Sequence, residues 1–140
     1  MKTVFLLFSL LLSNIVFASD KGWEQLILEK MVQSIYAGKE IRVYTVDESI
    51  ERTLGNSFYI NLVKNCNQCD IIIGENREEN SCKKPKIVLK YRNYLNDKSA
   101  VGVFFWQKGR PTIRFSSEKL KGFGLHINGE LSKFVTTKNN

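Results

Sequence analysis

The sequence predicts one α/β domain: a mainly parallel sheet in a three-layer-like arrangement, with an antiparallel C-terminal hairpin at its edge. Three observations lead there. Short β-prone runs alternate with short helical or turn segments through the middle of the chain. The run at residues 70–73, DIII, is apolar and continuous after its first residue, as strands buried on both faces are. Residues 101–107 and 112–116 are β-prone runs joined through Lys108-Gly109, where Gly can take the positive φ of a two-residue hairpin loop.

The first 18 residues stand apart from that domain. Lys2 supplies a positive start, residues 4–12 are apolar, and Val16-Phe17-Ala18 forms a small-x-small type site. This is the pattern of a secretory signal peptide cleaved between Ala18 and Ser19. The apolar run is short for a membrane span. The residue directly after the cleavage point is Ser19 and not a cysteine, so a lipoprotein anchor is not expected, and no later run is long enough to cross a bilayer. Cleavage leaves 122 of the 140 residues, enough for one core without help from a metal. The formal charge falls from +7 to +6 as Lys2 leaves. A basic exported domain suits an anionic surface or an acidic partner. The lysines are spread out, however, and no basic run argues for nucleic acid.

Along the mature chain, residues 22–36 predict an amphipathic helix with Trp23, Leu26, Ile27, Met31 and Ile35 on its apolar face. Glu24 would complement the dipole in the first turn, and Gly38 would stop the helix. Residues 41–46 read as a strand. Asp47 can cap a helix over 48–54, which Gly55-Asn56 ends. Residues 58–63 have strand propensity, 65–68 form a turn, 74–84 a charged loop, 86–90 a strand and 91–97 a helical turn. After the hairpin come a short helix over 117–121, a final helical turn and a polar tail at 136–140. The short crossovers predict a thin helical layer on one face.

If the hairpin loop is two residues long, Gln107 faces Arg110. Phe104 and Trp106 then share a face with Pro111, Ile113 and Phe115, and Phe105 shares the other with Thr112 and Arg114. Pro111 cannot donate to a ladder, which places its strand at an edge. With one face buried, Phe105 is left outside as an anchor for a partner. Phe105, Trp106, Lys108 and Arg110 are therefore the candidate binding residues.

Three cysteines, Cys66, Cys69 and Cys82, follow the signal segment, and an oxidising compartment favours a disulfide. Cys66 and Cys69 precede one predicted strand and Cys82 precedes the next. If those strands are parallel neighbours, all three lie at one end of the sheet. Cys66–Cys82 is the favoured pair, with Cys69 pointing inward beside Ile71 and Ile73; the other pairings stay open. A thiol-redox site would place its Cys-x-x-Cys at a helix N-terminus, and this one precedes a strand. Zinc held by Cys66, Cys69, Cys82 and His126 has the right ligand types, although His126 is distant in sequence. No Gly-x-Ser-x-Gly elbow, phosphate-binding loop or Gly-x-Gly-x-x-Gly is present. Glu78-Glu79 sits in the charged loop. Nothing here assembles an acid–base set, so no enzyme, cofactor or metal is expected.

The C-terminal stretch also carries a recognisable pattern. Gly102, Phe105, Gly109-Arg110, Ile113, Phe115, Leu120, Lys121, Gly124, Leu125, Ile127, Leu131 and Lys133 fill it, with a looser fit at Cys66-x-x-Cys69-Asp70 and the isoleucines that follow. It resembles the C-terminal part of the YfiR-like family of small periplasmic proteins. The resemblance implies an α/β domain, a periplasmic location and no catalysis. It also implies binding to the periplasmic part of an inner-membrane signalling protein of the diguanylate cyclase type, with disulfide redox state as a means of control. The alternative from another class is a small-ligand domain resembling half of a periplasmic solute-binding protein. Its pocket would lie beyond the strand ends, near Val46-Asp47, Gly74 and Tyr91.

Overall fold

The computed structural model describes residues 20–75 and 82–137. The predicted signal peptide, the cleavage point between Ala18 and Ser19, and Glu78-Glu79 lie outside these residues. In chain order the elements are α1 (Asp20–Ile35), β1 (Ile41–Tyr44), α2 (Glu48–Leu54), β2 (Ile60–Leu62), a 3-10 turn (Cys66–Gln68), β3 (Ile71–Ile73) and β4 (Lys86–Val88). They continue with α3 (Tyr91–Asn96), β5 (Ala100–Gln107), β6 (Arg110–Ser116), α4 (Ser117–Gly122), a second 3-10 segment (Gly129–Phe134) and β7 (Val135–Thr136). The strands form one seven-stranded sheet in the order β2-β1-β3-β4-β5-β6-β7. All neighbouring pairs are parallel except β5–β6. This is the predicted α/β architecture.

Alternation along the strands sorts the apolar side chains onto two faces. Ile41, Val43, Ile71, Ile73, Ile87, Val101, Phe104 and Phe115 face a core completed by α1, α2, α4 and the second 3-10 segment. Val88, Ala100 and Val103 face α3 and its Tyr94, while Ile72 meets the cysteine turn. The second layer is thin, as the short crossovers predict.

Local chemistry places the helices. Asp47 Oδ1 accepts from the backbone N–H of Ser49 at 2.9 Å and of Ile50 at 3.4 Å, capping α2 at the predicted residue. Ser116 caps α4 through Lys119 N–H at 3.2 Å. The apolar stripe of α1 differs from expectation. Ile27, Leu28, Met31, Val32 and Ile35 are buried, whereas Trp23 and Leu26 stay 46% and 43% exposed. The sheet-facing set starts one turn later than the sequence spacing suggested and includes Leu28 and Val32. Glu24 consequently lies beyond the first turn of a helix that starts at Asp20. At the other end of α1, the Ser34 carbonyl, near the C-terminus and without an intrahelical partner, accepts from Asn128 N–H at 2.8 Å and Asn128 Nδ2 at 3.2 Å.

The tail pattern now has a physical reading. Leu120 and Leu131 are buried in the main core, and Leu125 and Ile127 pack against it. Gly124 takes φ 69° where the chain leaves α4. Gly102 lies beside Val101, where the β4–β5 register shifts, and its cross-strand partner is Phe115. A Cβ at Gly102 would stand 3.0 Å from the Phe115 ring, which is fully buried. Gly102→Val is therefore expected to destabilise the domain by about 1–3 kcal/mol through overpacking. The check is a lower denaturant midpoint with an unchanged slope. An unchanged midpoint would mean that the ring yields freely.

Lys86 lies in the predicted strand over 86–90 and is only 5% exposed, on the α3 side of β4. Its Nζ lies 2.9 Å from Asp97 Oδ2, and Asp97 Oδ1 also accepts from Ser99 N–H at 2.8 Å. The pair ties the end of α3 to β4. β7 was not foreseen, since two residues carry no period.

Candidate functional site

The hairpin register is the two-residue alternative: Gln107 faces Arg110, Trp106 faces Pro111, Phe105 faces Thr112 and Phe104 faces Ile113. Lys108 and Gly109 both have positive φ, 51° and 77°, as a turn that follows strand twist requires. Phe104 is buried at the inner end of its face, and Trp106 reaches outward on the same face, 43% exposed. Trp106 is held edge-on to Phe104, with ring centroids 5.8 Å apart. That contact orients the indole while leaving much of it in solvent.

Phe105 is not the exposed anchor. It is half-buried, with Tyr91 of α3 at 5.5 Å between ring centroids, in the cluster that contains Val88, Tyr94 and Val103. The expectation of a single covered face failed because β5 lies between β4 and β6, and α3 roofs its second face. Trp106, Lys108 and Arg110 are all exposed at the tip. Arg114 lies over Tyr91, 5.5 Å from the ring centroid, with Nη1 donating to Tyr91 Oη at 3.4 Å. Lys119 donates to the Tyr94 carbonyl and lies 4.6 Å from that ring's centroid. Burial lowers the Lys119 pKa against the opposing pull of Asp97 and Glu118. Among the described residues the ion pairs are Lys30–Glu130, Arg42–Asp70 and Lys86–Asp97; none involves Lys108, Arg110 or Arg114.

Cys66 and Cys82 are joined in a disulfide, and Cys69 is a free, buried thiol. Cys69 packs with Ile72 and Cys82, near Tyr44 and Val63. It therefore occupies the face opposite Ile71 and Ile73, a correction to its expected orientation. Burial pushes its pKa up, which disfavours the nucleophilic thiolate. The disulfide takes two of the thiolates that a zinc site here would use, and His126 is exposed. Among the described residues, no group of three or more His, Cys, Asp and Glu is placed to hold a metal.

Asp70 follows Cys69 and locks the start of β3 to β1. Its carboxylate accepts from Arg42 N–H at 2.9 Å and from Arg42 Nη2 at 3.1 Å. Its carbonyl accepts from Tyr36 Oη at 2.8 Å. Burial, then the charges of Asp70 and Cys69, push the Tyr36 hydroxyl well above its usual pKa. Burial would raise Asp70, but the Arg42 hydrogen bonds outweigh it and hold the carboxyl below its ordinary value of 3.8. A depressed folded pKa gives stability that is present above the unfolded value and lost as pH falls through the folded one. The stability gap between wild type and Asp70→Asn should therefore shrink as pH falls below about 4. Denaturant titrations at pH 6 and at pH 3 check this, and a gap that widens with acid would contradict it.

Strand order reverses between β1 and β3, which marks the switch point where a ligand crevice is expected. The ends of these strands approach closely. Gly74 is buried with φ 94°, and a Cβ there would meet Thr45 Oγ1 at 3.5 Å and Asp47 Cβ at 3.7 Å. Glu75 Oε1 accepts from Leu89 N–H at 3.2 Å and Asn93 Nδ2 at 3.0 Å, tying β3 to the start of α3. Of the other residues expected around a pocket, Val46 is 49% exposed, Asp47 caps α2 and Tyr91 packs on Phe105.

Sequence reading missed a second exposed apolar set at the opposite end of the sheet. Phe58 is 96% exposed beside half-exposed Tyr59, just before edge strand β2. Ser57 Oγ donates to Glu29 Oε2 at 2.7 Å and fixes that loop against α1. Only the run Ser57-Phe58-Tyr59, a polar break followed by aromatics, marks it in sequence.

No helix among the described residues is long and apolar enough to cross a membrane. The fold and hairpin thus define an α/β domain with a basic, aromatic-tipped edge. Comparison of the chain with protein-family models, curated proteins and solved structures finds no match.

Proposed function

We propose that the protein is an exported, non-enzymatic regulator that binds another protein through the tip of the β5–β6 hairpin. The observation that carries this reading is Trp106. It is a large aromatic side chain, 43% exposed yet oriented by Phe104, and it stands beside the exposed cations Lys108 and Arg110. A tryptophan flanked by cations is the composition of an interface anchor. The YfiR-like pattern supports a periplasmic location. It also points to the periplasmic part of an inner-membrane signalling protein of the diguanylate cyclase type as the partner.

Regulation on this reading is a shift in the partner's populations: the domain binds one signalling state more tightly than another. The test is crosslinking in intact periplasm followed by recovery of the mature protein and mass spectrometry. Recovery of one inner-membrane signalling protein is expected. Recovery of nothing specific, with a small-molecule screen that raises Tm, would replace the reading with ligand binding.

A further inference from the structure

We propose that the outer edge of β6 is a docking strand, and that the partner adds to it an extended segment with acidic residues at alternate positions. The proposal rests on the protein-binding reading and specifies how that surface is used.

Backbone phase comes first. A two-residue turn makes Gln107 and Arg110 the closing hydrogen-bonded pair of the hairpin. Alternation then directs the backbone groups of Thr112 and Arg114 toward β5, and those of Pro111, Ile113 and Phe115 outward. β7 takes up the outward side in register Phe115↔Val135, in agreement with this phase. Among the described residues no strand pairs with the outer side at 110–114. The second 3-10 segment, leading into β7, also contacts β6; the groups that this phase turns outward at 110–114 are the Pro111 and Ile113 carbonyls and the Ile113 N–H.

Side chains then select the occupant. Arg110, Thr112 and Arg114 share one face, and neither arginine has an ion pair among the described residues. Acidic residues at alternate positions of an added strand would stand beside them. On the other face, Trp106 and exposed Pro111 offer a seat for the apolar residues between those acids, beside Ile113, which packs against the main core. The same groups disfavour a second copy of this chain. Two β6 edges brought together would set Arg110 and Arg114 against their own kind, and like charges across a ladder repel. Pro111 also withholds one donor. The surface thus joins a main-chain template to charge complementarity, as strand-addition sites do.

The probe is a synthetic peptide of alternating Glu and Val, about six residues long to match a typical strand. Its control alternates Lys and Val. Amide exchange is followed by NMR on the mature protein. The Glu peptide is expected to slow exchange at Ile113 N–H by about tenfold or more when in excess, which corresponds to about 1.4 kcal/mol. The effect should weaken as salt rises, and the Lys peptide should give none. Arg110→Glu with Arg114→Glu should reverse the preference. Because Arg114 also holds Tyr91, Lys108→Glu with Arg110→Glu is a second variant confined to exposed side chains.

Failure of the Glu peptide to bind overturns the proposal. So does binding that shifts Trp106 and leaves Ile113 unprotected, because docking would then use side chains alone. Trp106-dependent sedimentation with phosphatidylglycerol vesicles, and no response to the peptide, would reassign the surface to lipid. If the peptide fails while a Trp106-dependent protein partner is still captured, strand addition falls and the binding reading stands. If no partner is captured, that reading falls as well.

Discussion

Trp106→Ala is expected to weaken partner capture about 30-fold or more while leaving the domain folded. A tryptophan at the centre of an interface typically costs at least 2 kcal/mol on truncation, which is about 30-fold in affinity. The fold loses much less. The indole is 43% exposed, and its edge-on contact with Phe104 is worth about 1 kcal/mol. The neighbouring substitution should behave in the opposite way. Phe105 is half-buried against Tyr91 and the α3 cluster, so Phe105→Ala should cost stability, about 1–2 kcal/mol for a half-buried ring. Its effect on capture should be small once stability is matched. Binding isotherms and thermal melts on both variants separate the two roles. If Phe105→Ala proves the binding-defective variant and Trp106→Ala is neutral, the anchor has been placed on the wrong face of β5.

Replacing both Cys66 and Cys82 with Ser is expected to lower stability by about 2–4 kcal/mol. In a domain of this size that is a fall of roughly 10 °C or more in Tm. The bridge spans a sequence separation of 16 and joins the turn before β3 to the segment before β4, so it restricts the unfolded chain. Both cysteines must change together. A single substitution leaves Cys69 and the surviving thiol, which share one cluster, free to pair with each other. Calorimetry under non-reducing conditions reads the effect. A double variant with an unchanged Tm would show that the bridge contributes nothing to stability.

Much of this molecule was legible in sequence because the relevant signals are local. Asp47 caps α2 since a carboxylate there can reach the N–H groups of Ser49 and Ile50 whatever the rest of the chain does. The hairpin register follows from the turn at Lys108-Gly109, and with it the separation of Phe104 and Trp106 from Phe105. The Cys66–Cys82 pair follows from β3 and β4 being parallel neighbours with both cysteines ahead of their strands.

What was not legible depends on contacts between distant segments. Period-2 alternation says that Phe104 and Phe105 face opposite ways, but not that α3 brings Tyr91 over the second face. The stripe on α1 was misphased at Trp23 and Leu26 because helical spacing does not say where the sheet beneath begins. Lys86 reads as a surface cation until Asp97 arrives at 2.9 Å to hold it. The candidate anchor on the hairpin therefore moves by one residue, from half-buried Phe105 to exposed Trp106.

The most direct test of hairpin-mediated binding is site-specific photocrosslinking in living cells. A photoreactive amino acid replaces Trp106 in one strain and exposed Asn61 of β2 in another. The account predicts a discrete adduct with one inner-membrane signalling protein from position 106 and none from position 61. Adducts from position 61 alone would place the interface at the opposite edge of the sheet and contradict the assignment of the hairpin.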